Sequence, residues 1–479
     1  MDPATALKPR FEEGEYSCTW LIPNGVSDES PARVPGTLTL EGGRVPTGHG
    51  YGPEVPTSVS ASGLTSLPQT TYHPALKCEL AIGAVATLLN ARLRVWAPER
   101  VNISASAVLV GQGYPADSSA RICQIKTQVT GLESITATAP LDRAIQIPRN
   151  GERVTFELAP SPSARLAWED ESAILIADYA SSAASADLYG TRHLFSPTLQ
   201  LDIDEPLPFL EFSALWIDPI HRLAAVSIGQ RQAITHVTAV GEDEDGNDGK
   251  WEVFAKGVTQ APYASVEKEV RETKSALALG PDGDSLLAII RKWNDLDAMR
   301  HPIIHSFGRE VGSLTDQTPR AQFLTLIQAL EGTHRSEEAA KTAAEEDKFT
   351  LKREDFLNST PLTYLSTAER KFLKKNLARK PPSGLDRALH WIDEGSTGSL
   401  GEAVGSLDII QAKLDEKSAT SWADAIRVIR NDYSHANRSY DPYELHELVE
   451  VLRRFATETC LRLLGASIAS RTRAIRPTV

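Results

Sequence analysis

The chain has 479 residues, 41% of them hydrophobic and 24% charged, which is the composition of an ordinary globular protein of roughly two to four domains. Its 50 Lys+Arg against 63 Asp+Glu leave a net charge of −13, which excludes coating of nucleic acid by bulk positive charge but not a local basic site. Cys18, Cys78, Cys123 and Cys460 stand far apart with no CxxC, which argues against a structural zinc site or a disulfide framework and fits a reducing cytosol.

In chain order, Met1 to Tyr16 is mixed and charged and lacks the apolar core of a signal peptide. No run of about 18 apolar residues occurs, so no transmembrane helix is expected and the predicted location is cytoplasmic. To about residue 260 the chain reads as short strands broken by turns. Thr37-Leu38-Thr39-Leu40 alternates into Gly42-Gly43, and Val154, Phe156 and Leu158 alternate likewise. The stretch through Val237 and Ala239 meets the acidic run Glu242 to Gly249, which predicts a solvated hairpin tip before Trp251-Glu252-Val253-Phe254. Period-two alternation bounded by Gly, Pro and Asp marks half-buried antiparallel strands. Pro160, Pro162, Pro206 and Pro208 punctuate this half, leaving room for one or two subdomains, and Ala81 to Ala91 reads as a helix.

From about Asp284 the pattern turns helical. Thr318-Pro319 sets a cap before a first-turn proline, and Phe323, Leu326, Ile327 and Leu330 form one apolar stripe. Ser366 with Glu369, and Ser399 with Glu402, are capping boxes. Asp441-Pro442-Tyr443-Glu444 opens a long amphipathic helix through Leu445, Leu448, Val449, Leu452 and Phe455. About six to eight helices are expected between Asp284 and Arg471, with Glu337 to Asp347 a solvated helix or linker. The predicted fold class is α+β multidomain: a β-rich half over 1–260, sandwich or barrel-like, an all-α bundle over 284–471, and a basic, mobile tail over 472–479.

No GxxxxGK[ST], GxSxG or HExxH motif occurs, so P-loop ATPases, common hydrolases and zinc proteases are disfavoured. One constellation carries chemistry. Arg-x4-His occurs at Arg44/His49, Arg231/His236, Arg300/His305 and Arg430/His435. Only the last lies on an expected helix with apolar Ile426 and Ile429, has Asn directly after Arg, and precedes a short break and one more long helix. On an ideal helix residues five apart diverge by about 140° and about 7.5 Å along the axis, so Arg430 and His435 do not face each other, whereas Asn431 and His435 share a face. The helix must end or bend near His435, or the site must be shared by two chains.

Arg430-Asn431-x-x-x-His435 on the penultimate helix of a C-terminal bundle resembles the HEPN ribonuclease signature, and more narrowly that of ApeA-like HEPN proteins, which are bacterial antiphage defence nucleases. Phe323 to Arg335 is similar to the segment that opens their helical domain. Val34-Pro35-Gly36-Thr37-Leu38 resembles the start of their β-rich domain, and Leu223-Ala224-Ala225-Val226 with the strand after Gln230 resembles the joining stretch. The resemblance implies a homodimer whose two motifs form a composite cleft, with RNA, tRNA among the candidates, as substrate. It implies metal-independent cleavage leaving a 2′,3′-cyclic phosphate or 3′-phosphate, and abortive infection as the setting. A phage-derived trigger would act on a sensing N-terminal region.

The residue types fit that chemistry. RNA supplies its own nucleophile, the 2′-hydroxyl. Histidine moves protons near neutral pH, and arginine offers a permanently charged fork of donors to phosphate. The catalytic set is therefore Arg430, His435 and Asn431, supported by Glu331, Asp432 and Tyr433. Arg370, Lys371, Lys374, Lys375, Arg379 and Lys380 place six cations within eleven residues and are the candidates for guiding RNA phosphates. No metal or cofactor is expected. The alternative is a non-catalytic HEPN scaffold that binds RNA or a protein partner.

Overall fold

The computed structural model describes residues 5–23, 30–52, 68–97, 99–141, 161, 164–187, 190–277, 279, 283–357, 365–376, 384–435 and 438–476. Two compact units result: Met1–Ile228 with Gln232–Arg291, and Gly229–Arg231 with Lys292–Val479. Leu223 to Val226 fall within the helix Asp218–Ile228, and both that helix and the strand that follows Gln230, Ile234–Glu242, belong to the first unit.

The first unit is built on thirteen strands among the described residues: β1 Gly14–Ile22, β2 Ala32–Leu40, β3 Thr47–Tyr51, β4 Gln69–Leu80, β5 Val85–Ala97, β6 Arg100–Ser104, β7 Ala107–Gly111, β8 Arg121–Val129, β9 Leu166–Glu169, β10 Ala173–Asp187, β11 Gly190–Pro208, β12 Ile234–Glu242 and β13 Asp248–Ala255. Every ladder between them is antiparallel. The order β4-β1-β2-β3-β6-β5 closes on itself through β4–β5, making a six-stranded barrel. The remaining strands continue from β5 as β7-β13-β12-β8-β11-β10-β9 outside the ring. The unit is thus a closed barrel with outer strands rather than a sandwich.

Burial explains the closure. Val34, Leu38, Leu40, Leu76, Cys78, Leu88, Leu93, Val101 and Ile103 fill the barrel around Trp20, which is fully buried and donates from Nε1 to the carbonyl of His49 at 2.9 Å. The indole lies so close to β2 and β3 that a Cβ on Gly48 would come within 2.4 Å of Trp20 Cζ2, and one on Gly36 within 2.7 Å of Nε1. Glycine is required there by close approach.

Two expectations need correction. Ala81 to Ala91 is not a helix: Gly83 turns at φ +82 and β5 follows. Ala86, Thr87, Leu88 and Leu89 are all buried, because the first half of β5 is covered on both faces, and a doubly buried stretch loses the alternation that distinguishes it from a helix. Pro206 and Pro208 do not divide the half; they end β11 where its register with β8 shifts, a position that tolerates the missing donor. The hairpin tip is as expected, with Asp243 Oδ1 accepting from the amides of Asp245 and Asn247. Val154, Phe156, Leu158, Pro160 and Pro162 lie outside the described residues.

The second unit is helical, and its starts follow local capping chemistry. Thr318 accepts from Ala321 N ahead of helix Pro319–Glu337. Ser366 and Glu369 cap each other at the start of Thr367–Asn376. Ser399 accepts from Glu402 N, and Asp441 from the amides of Tyr443 and Glu444 at the head of Pro442–Leu463. The charged stretch after Glu337 is a largely exposed helix, Ala339–Leu357. The expected mobile tail begins inside a helix, Ile468–Ile475: Arg471 bonds to buried Glu458 at 2.7 Å and to the carbonyl of Gly395 at 2.6 Å, and residues 477–479 lie outside the described residues.

Candidate active site

The motif helix is Trp422–His435. Ala423, Ala425, Ile426 and Ile429 are buried along one stripe, which turns Arg430, Asn431 and Ser434 away from the core centre. Helical geometry continues to His435, the last residue described before 438, so Arg430, Asn431 and His435 all lie on the helix.

Arg430 is held without being consumed. Its side chain is 31% exposed, with Nη2 3.5 Å from Glu331 Oε2 and Nη1 3.2 Å from Asn431 Oδ1. Glu331 comes from helix Pro319–Glu337 and is only 16% exposed, so the pair ties the two helices together at the arginine. An ion pair this long and half wet contributes less than about 1 kcal/mol, so its effect is orientation. A guanidinium has five N–H donors, and those not used here meet no partner among the described residues. His435 is exposed, and its ring meets no hydrogen-bond partner among the described residues.

Asp432 and Tyr433 anchor the helix from behind. Tyr433 is 6% exposed and packs between Phe323, at 6.1 Å, and Tyr440, at 5.3 Å, so its ring belongs to the core and is not presented for stacking on a base. Asp432 accepts from the Tyr440 hydroxyl and lies 3.9 Å from Lys413 Nζ. Lys413 is almost fully buried, 3.3 Å from Glu416 Oε2 and 4.9 Å from the Tyr440 ring centroid. Arg438 closes the set through a two-pronged pair with Glu416 at 3.0 and 3.1 Å. Burial, reinforced by the Asp432 carboxylate, holds the Tyr440 hydroxyl well above the ordinary tyrosine range. Its pairs with Arg438 and Lys413 hold Glu416 below the usual carboxylate value.

Sequence reasoning missed Lys413, Glu416, Arg438 and Tyr440, which converge from separate segments. It also missed Arg320, whose Nη2 donates to the carbonyl of Tyr433 at 2.6 Å and whose guanidinium lies 5.4 Å from the Tyr433 ring centroid. That carbonyl is one of the four left unsatisfied at a helix C-terminus, where a cation is also favoured by the helix dipole.

The basic cluster is only partly placed. Lys371 is exposed on helix Thr367–Asn376; the side chains of Arg370, Lys374 and Lys375, and all of Arg379 and Lys380, lie outside the described residues. Among the described residues no group of three or more His, Cys, Asp or Glu side chains could hold a metal ion, and no helix is long and apolar enough to cross a membrane.

Residues 324–465 match the family model described as Apea-like HEPN. No curated protein and no solved structure matches the chain. The matched span starts within the helix that supplies Glu331, contains the motif helix, and ends just past helix Pro442–Leu463. The helical region therefore carries a domain similar to Apea-like HEPN.

Proposed function

We propose that the helical unit is an endoribonuclease that cleaves RNA without a metal ion, and that the protein serves bacterial antiphage defence with its N-terminal region governing activity. The observation that carries the reading is the pairing of a half-exposed, oriented Arg430 with an exposed His435 at the end of one anchored helix. His435 would exchange the proton of the 2′-hydroxyl as that oxygen attacks phosphorus, or deliver one to the departing 5′-oxygen. Arg430 would neutralise the charge growing on the phosphorane oxygens, and Asn431, one helical turn before His435, would hold the imidazole or the phosphate.

Residues five apart on a helix diverge by about 140°, and the proposed enzyme is accordingly a homodimer whose two motif helices would supply one cleft. Polynucleotide RNA, tRNA among the candidates, would be the substrate, in the cytoplasm. The basic cluster Arg370, Lys371, Lys374, Lys375, Arg379 and Lys380 would steer it.

RNA integrity in cells producing the wild type or His435→Ala at equal level tests this, followed by the purified pair in EDTA. Cleavage with cyclic-phosphate ends in the wild type only, unaffected by EDTA, is expected. Equal cleavage by both removes His435 from the mechanism. Intact RNA in both, with phage infection included, returns the protein to the scaffold reading.

A further inference from the structure

The outer wall of the barrel carries a feature that the helical site does not explain. On β3, β6, β5 and β4, taken in order round the ring, register aligns the outward side chains in rows. His49 is opposite Asn102, and Asn102 opposite Arg94. Arg92 is opposite Tyr72, and Arg100 opposite Tyr51. Trp96 sits in the irregularity between Val95 and Ala97. The alternate residues Leu93, Val95, Val101 and Ile103 point into the barrel core, so the fold forces this set outward.

Three large aromatics are therefore held in water: Tyr72 is 74% exposed, and Tyr51 and Trp96 are each 49% exposed. The Arg94 guanidinium lies 3.4 Å from the Trp96 ring centroid, and His49 stacks on Tyr51 with an interplanar angle of 30°. His49 Nδ1 and Asn102 Oδ1 are 3.1 Å apart. A groove of about 370 Å³ runs between them, lined by His49, Arg92, Arg94, Trp96 and Asn102.

Charge marks the face as well. The chain as a whole is acidic, yet these four strands contain one carboxylate, Glu79, which pairs with Arg33. Arg92, Arg94 and Arg100 make no ion pair with any described residue. Solvent-facing walls of barrels are ordinarily polar, and exposed rings interleaved with arginines fit a nucleic-acid-binding surface. Guanidinium forks suit phosphates, and flat exposed rings suit unpaired bases, which every nucleotide offers and a duplex hides.

We propose that this wall, formed by β3, β6, β5 and β4, binds single-stranded nucleic acid, its arginines taking the backbone and Trp96, Tyr72 and Tyr51 stacking bases. The inference stands apart from the nuclease reading, since it uses no residue of the helical unit. It gives the N-terminal region a ligand class.

The test uses the full chain carrying His435→Ala, so that RNA probes stay intact, and reads fluorescence anisotropy with labelled oligo-uridine and oligo-deoxythymidine of about twelve nucleotides. Removal of one stacking ring in Trp96→Ala, or of two cations in Arg92→Glu/Arg94→Glu, should weaken binding about tenfold or more, and the arginine pair should also flatten the salt dependence. All three residues lie on the surface of the barrel, and Tyr72→Ala, at the most exposed ring, repeats the test should a thermal melt show that either variant is unfolded. Losses with both probes support a face that reads phosphate and base alone. Losses with oligo-uridine only support an RNA face that also reads the ribose hydroxyl. Variants that bind both probes as tightly as their parent overturn the proposal, as does absence of binding to either probe, the result expected of a protein-docking face. Neither result bears on whether His435 cleaves RNA.

Discussion

The barrel and the helical unit are stabilised by different physics. The barrel interior is apolar around one indole, with Trp20 Nε1 bonded to a single backbone carbonyl. The helical unit buries charge: Glu458 is fully buried against Arg471, and Lys413 is buried among Glu416, Asp432 and Tyr440. Apolar burial is non-directional and fixes a wall; bonded charges fix the angle at which one helix meets another. The difference shows where position matters. The face that would bind by stacking and charge needs only a rigid wall, whereas the helix that carries Arg430 and His435 is tied near its end by directional bonds from Tyr440 and Arg320, with Lys413 3.9 Å from Asp432.

The sharpest way to break this comparison is to damage each interior and ask which unit responds. Arg471→Ala leaves the Glu458 carboxylate buried without its partner, at a cost of about 3–5 kcal/mol. Burial already holds Glu458 above the usual carboxylate value, with Arg471 pulling it down. A carboxyl whose folded value lies above its unfolded one weakens the fold at high pH, so the deficit of the variant should shrink as the pH falls through that raised value. Trp20→Ala should cost about the same, about 3–5 kcal/mol, by opening a cavity in the barrel, and its deficit should not vary with pH. Denaturant melts at pH 7 and pH 5, read by helical circular dichroism for the second unit and by amide hydrogen exchange of the barrel strands for the first, separate them. A pH-independent loss in Arg471→Ala would refute the charge argument.

Smaller changes sharpen the same contrast. Gly48→Ala drives a Cβ to 2.4 Å from the buried indole and should cost about 1–3 kcal/mol, all of it in the barrel transition. Tyr440→Phe removes the hydroxyl that Asp432 accepts from and should cost about 1–3 kcal/mol in the helical transition. In the proposed nuclease it should also lower kcat for RNA cleavage while leaving KM in place, because the bond positions the end of the motif helix and contacts no substrate. A matched fall in kcat and rise in KM would mean that the bond only stabilises the fold.

Much of this fold was legible because its signals are local. Caps at Thr318, Ser366, Ser399 and Asp441 need only neighbouring amides, and the structure places helices after each. Barrel closure was not legible, because the pairing of β4 with β5 that seals the ring says nothing in either strand about the other four. Ala81 to Ala91 misled for a related reason: burial on both faces of the first half of β5 erased the period-two pattern there. At the candidate site, Arg430, Asn431 and His435 could be singled out from one helix, and Glu331 from another, because motif and apolar stripe coincide. Arg320, Lys413 and Tyr440 carry no local pattern and become visible only when three segments meet.

The weakest expected effect concerns a surface charge pair of the β unit. Asp170 accepts from Arg291 Nε at 2.9 Å and Nη2 at 3.2 Å, and Arg291 also lies 4.4 Å from the centroid of the Trp216 ring. The pair with Arg291 lowers the Asp170 carboxyl to about 2. A carboxyl whose folded value lies below its unfolded one adds stability above the unfolded value, near 3.9, and loses it as the pH falls toward 2. Both side chains are about a third exposed or more, at 34% and 40%, so screening limits the contribution to about 0–1 kcal/mol. Asp170→Asn should therefore be slightly less stable than the wild type at pH 7 in a denaturant melt of the β unit, and indistinguishable from it near pH 2. A difference that persists near pH 2 would have to come from packing of the side chain rather than its charge.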